Sequence, residues 1–132
     1  MLVEKKIYKN VDNEMMEKIK TRLENWCHDK YYNNFEVIVV LYELYNNGVK
    51  YSNQPVDIII KLYKNSIVIR VNDQGKGFNV KEKLNIDTCD LKKNIHKPCG
   101  RGIYIVKNFV SQICYNRNGN QVVVRIKENK KY

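Results

Sequence analysis

Several common chemistries are missing from this chain. Its longest apolar stretch, Val37 to Tyr42, falls far short of the ~20 residues that span a bilayer. No basic segment followed by an apolar one opens the sequence, so no secretory signal is expected. The four cysteines, Cys27, Cys89, Cys99 and Cys114, show no CxxC spacing and no finger-like pairing with His28 or His96. That argues against structural zinc and fits free thiols in a reducing cytoplasm. "HKPCG", residues 96–100, is better explained as a loop histidine beside a small thiol than as a ligand pair. Acidic residues are scarce, 14 against 24 Lys and Arg, for a formal charge of +10. Such an excess raises nucleic acid or an acidic partner as candidates. Lysine supplies 19 of the 24 cations and is spread along the chain, and no arginine cluster interleaved with aromatics offers bases a stacking platform. Direct nucleic-acid binding is therefore not expected.

What is present suits one globular domain over residues 1–132. The chain is long enough to bury a core, and 43% hydrophobic with 29% charged residues is an ordinary globular mixture. Residues 2–9 alternate loosely, as an opening strand would. From Asp12, a reasonable N-cap, Met16, Ile19, Leu23 and Trp26 recur at helical spacing to about His28. Residues 33–52 are β-branched but too long without a breaker for an ordinary strand. Phe35, Ile38, Leu41 or Tyr42, Tyr45 and Val49 follow a helical stripe there, so a helix is expected. "PVDIIIKLYKNSIVIRVND" predicts an antiparallel hairpin turning at Lys64-Asn65. Residues 79–99 are polar and weakly periodic, as in a lid. "GRGIYIVKNFV" predicts a helix with Ile103, Val106 and Val110 on one face. Asn118-Gly119 predicts a final hairpin. The expected fold class is α+β, a two-layer sandwich of mostly antiparallel mixed sheet with helices on one face.

Glu36, Glu43, Asn47 and Lys50 share one side of the second predicted helix. No GxxxxGK[ST] loop occurs, and Gly75 and Gly77 lack the third glycine of a dinucleotide fingerprint. Taken singly, "NDQGKGF" and "GRG" are weak signals. Backbone amides at a helix start, as at Gly100 to Gly102, would still favour phosphate.

In order, however, "ELYNNGVKYS", "NDQGKGF" and "GRGIYIV" resemble the three nucleotide-binding boxes of the GHKL ATPases, the superfamily of gyrases and histidine kinases, from about residue 35 to 127. The resemblance implies a Bergerat-type ATP-binding fold with a lid at 79–99. It implies that Asn47 gives an oxygen to Mg²⁺ and that Asp73 accepts from the adenine amino group. Gly75 and Gly77 would admit the base. Lys50, Gly100, Arg101 and Gly102 would face the phosphates, and Glu43 would act as general base. Tyr51 stands where relatives have His or Tyr. A small hydroxyl residue often follows the last hairpin glycine in relatives, and here Asn120-Gln121 follows Gly119.

A chain of this size has no room for the transducer domains of gyrases or the phosphoacceptor helices of sensor kinases. It looks most like the free-standing anti-sigma-factor serine kinases of bacteria. That resemblance implies a cytoplasmic homodimer that binds ATP and Mg²⁺, sequesters a sigma factor and phosphorylates a serine on a small antagonist protein. The alternative is a nucleotide-sensing module of the same fold that gates a partner without transfer.

Overall fold

The computed structural model describes residues 1–52, 55–73, 105–116 and 120–129. The elements are β1 (Leu2–Val11), α1 (Asn13–Cys27), α2 (Asn34–Ser52), β2 (Val56–Tyr63), β3 (Ser66–Asn72), β4 (Gln112–Tyr115) and β5 (Gln121–Lys127). A short helical stretch, residues 105–109, precedes β4. The five strands form one sheet in the order β1-β2-β3-β5-β4, and every described pairing is antiparallel.

Local chemistry sets the helix ends. The Asp12 carboxylate accepts from the Met15 N–H at 2.8 Å and caps α1. Asn33 does the same for α2, its carboxamide oxygen accepting from the Glu36 N–H at 3.1 Å. At the C-terminus of α1, the His28 N–H returns to Glu24 and Asn25, and Asp29 follows at φ 66°. Asn10, at φ 50°, absorbs the irregularity where β1 leaves its register with β2, and its N–H donates to Asp57. Asparagine and aspartate tolerate this left-handed backbone better than most residues.

The helices cover one sheet face. Val56, Ile58, Ile60 and Leu62 of β2 alternate inward with Ile67, Ile69 and Val71 of β3 and Val122, Val124 and Ile126 of β5. Against them α1 lays Met16, Ile19, Leu23 and Cys27, while Trp26 is only partly buried beside this core. Each fully buried aliphatic side chain contributes roughly 1.5–3 kcal/mol. Tyr42 donates to Glu17 at 3.0 Å, joining the two helices, and Glu4 pairs with Arg22 to tie β1 to α1.

The buried stripe of α2 differs from the expected one. Val37, Val40, Leu41, Leu44, Tyr45 and Gly48 face the sheet, whereas Phe35 is 73% exposed and Val49 lies at the surface. With apolar residues on nearly every side of the "VIVVLY" turn, periodicity alone admits two neighbouring stripes. The sheet selects the one ending in Gly48, which is buried against Val56 and Val71.

Burial pushes the Cys27 thiol from its ordinary 9.0 up to about 11; Lys30 lowers it, and Glu128 and Glu24 raise it further. The folded state therefore holds this proton more tightly than the unfolded chain. The associated stability is complete below pH 9 and is lost as pH climbs toward 11, at most about 3 kcal/mol. Urea midpoints measured across that window should fall with pH, and less steeply for Cys27→Ala. Tyr32, also pushed up chiefly by burial, to about 12, adds a decline of the same sign above pH 10.

Candidate functional site

The C-terminal half of α2 and the end of β3 meet at Gly48. A Cβ placed there would lie 3.0 Å from Val56 Cγ1 and 3.3 Å from Val71 Cγ1. A side chain at this position would press on the first residue of β2 and on β3, so glycine suits the close seat of the helix there. Asn47 precedes Gly48, and Asp73 follows Val71 by two residues, so this contact brings the two expected nucleotide residues to the same end of the sheet. Glu43 and Asn47, one helical turn apart, are both half-buried beside the core stripe, and Lys50 is exposed in the last turn. Glu36, from the same polar side, lies at the other end of α2 in its first turn. Tyr51 belongs to the last turn. Gly75, Gly77, Gly100, Arg101, Gly102 and the lid segment 79–99 lie outside the described residues.

Asp73 is held from the neighbouring strands. Its N–H donates to the Asn120 carbonyl at 2.9 Å, one step beyond the Asn72–Gln121 pair of β3 and β5. Asn120 is gripped in turn by Asn116. The Asn116 carboxamide oxygen accepts from the N–H groups of Asn120 at 3.0 Å and Gln121 at 3.1 Å, and its Nδ2 donates to Asn120 Oδ1 at 2.5 Å. The Asn116 N–H also reaches the Gln121 carbonyl at 3.0 Å. The residue that departs from the hydroxyl of relatives is thus joined to Asp73 through one backbone hydrogen bond, and Asn116 closes the β4–β5 connection behind it. Asn116 is a site residue that the motifs do not point to. The only available signal was the pair of asparagines flanking the Asn-Gly turn.

Removing this clamp leaves two backbone donors without their acceptor. Asn116→Ala is expected to cost about 1–3 kcal/mol in urea denaturation. Asn116→Asp, which keeps the acceptor, should recover part of that loss.

The order of elements, the polar turn of α2 over the end of β3 and the anchored Asp73 agree with a match to the family model described as histidine kinase-like ATPase domain, over residues 12–126. The chain belongs to that family. Membership of the ATPase domain family supports ATP binding and accounts for the α+β sandwich with helices on one face. No curated protein matches the chain. No helix among the described residues is long and apolar enough to cross a membrane.

Among the described residues no group of three or more His, Cys, Asp or Glu could hold a metal ion by itself. Mg²⁺ takes hard oxygen ligands, and the half-buried Asn47 carboxamide is the residue that would offer it one.

Proposed function

We propose that this ATPase domain is a serine-protein kinase of the anti-sigma-factor type. It passes the γ-phosphoryl group of Mg-ATP to a serine of a small antagonist protein and sequesters a sigma factor. The observation that carries the reading is the half-buried Glu43–Asn47 turn, seated by Gly48 against Val71 and so at the same end of the sheet as Asp73.

In this reading Asn47 gives its oxygen to Mg²⁺, which when bound neutralises charge on the phosphates. Asp73 orients the base by accepting from the adenine amino group, and Gly75 and Gly77 let the backbone approach it. Lys50, Arg101 and the amides of Gly100 and Gly102 balance the negative charge of the triphosphate. Glu43 accepts the proton of the partner's serine hydroxyl while that oxygen bonds to the γ-phosphorus and the bond to ADP breaks. Residues 1–132 act as one domain, with 79–99 as the lid, in a cytoplasmic homodimer.

Incubation with γ-labelled ATP and lysate of the source cells tests the reading. A small labelled protein, absent when Glu43→Gln replaces the wild type, is the expected result. ATP-dependent capture of a partner with no label transferred would leave a nucleotide-sensing module and remove the kinase.

A further inference from the structure

Among the described residues, six cations far apart in the chain gather on one face of the sheet. On α1, Glu14, Glu17 and Glu24 balance Lys18, Lys20 and Arg22, while α2 carries Glu36 and Glu43 against Lys50. The sheet is different. Its inward positions are taken by the aliphatic core, so residues alternating with them point to the face that no described helix covers. Lys5 of β1, Lys61 of β2, Arg70 of β3, and Arg125 and Lys127 of β5 fall on that face by register, and Lys9, from the shifted part of β1, reaches Asp57 on it. Among the described residues its only carboxylate is Asp57, which already takes Lys9 at 3.4 Å and the Asn10 N–H at 2.9 Å. Between the cations run Ile7, which is 51% exposed, and the half-buried Ile59 and Val123. Arg125 is fixed in place, donating to Ser66 Oγ at 2.8 Å with its guanidinium 5.1 Å above the Tyr63 ring.

From this segregation we infer that the open sheet face is a docking surface for an acidic protein segment, one that sets aliphatic side chains on Ile7, Ile59 and Val123 and carboxylates among the surrounding cations. A second copy in the same place would put basic side chains against basic side chains, which opposes association. Single-stranded nucleic acid would require exposed aromatic platforms, and Tyr63, the aromatic side chain of this face among the described residues, lies under Arg125. The inference is independent of the nucleotide reading, since neither Glu43 nor Asn47 belongs to this surface.

The test uses the full chain and a synthetic amphipathic helix bearing Leu on one side flanked by Glu. Binding is expected, weakening as salt is raised, and falling roughly tenfold or more in Lys61→Glu/Arg70→Glu. Lys18→Glu/Lys20→Glu, with the same change in net charge on α1, should bind as the wild type does. Lys61→Gln/Arg70→Gln serves if the reversed pair does not fold and should give an intermediate loss. Equal losses in the sheet and helix variants would reduce the effect to net charge and overturn the inference. So would tighter binding of a single-stranded oligonucleotide or of phosphatidylserine vesicles than of the peptide. Sedimentation showing that the sheet variant alters self-association while peptide binding is unchanged would assign the face to a second copy instead.

Discussion

Glu43→Gln is expected to leave ATP affinity within about twofold of the wild type while phosphoryl transfer falls by roughly 10²–10⁴-fold, the usual contribution of a positioned general base. The substitution keeps the shape of the side chain on the half-buried face of α2 and removes its ability to take a proton. Nucleotide titration and γ-phosphoryl transfer, measured on the same preparations, separate the two effects. Transfer that continues at the wild-type rate would remove Glu43 from the role of base. Loss of ATP binding together with transfer would make the carboxylate part of the nucleotide site itself.

The second large effect is expected at Gly48. Valine there would carry its Cβ to 3.0 Å from Val56 Cγ1 and 3.3 Å from Val71 Cγ1, with two further methyl groups to place. Overpacking of this kind costs about 1–3 kcal/mol, well above the few tenths that leaving glycine gains in helix propensity. The helix must lift or turn, and Asn47 moves with it relative to Asp73. Gly48→Val should therefore lower the urea midpoint and weaken ATP binding together. Val56→Ala in the same chain removes the nearest methyl groups and should restore part of both, with a coupling of about 1 kcal/mol. Wild-type stability and affinity in Gly48→Val would mean that the helix does not depend on this contact.

Gly48 also shows where sequence reasoning stops. Asp12 as a cap, the Lys64-Asn65 turn and the Asn118-Gly119 signal are local, so α1 and both hairpins were legible within a few residues of their bounds. The family was legible because the residue types and order of its motifs recur as a set. Which stripe of α2 is buried was not legible. Neighbouring stripes are nearly equal in hydrophobicity, and the choice depends on a glycine meeting two valines from other strands. Asn116 escaped for a related reason. Its role consists of hydrogen bonds to Asn120 and Gln121, and those exist only once β4 and β5 pair.

Charge divides in the same way. Composition alone determined that this chain carries a large excess of lysine, and the run of residues determined that no local cluster holds it. Only the sheet decided which of the described cations become neighbours. Strand alternation sends every second residue to one side, and both helices cover the opposite side. Lysines and arginines far apart in the chain thereby come to share a face, since alternation and register, not proximity in sequence, determine which side chains become neighbours.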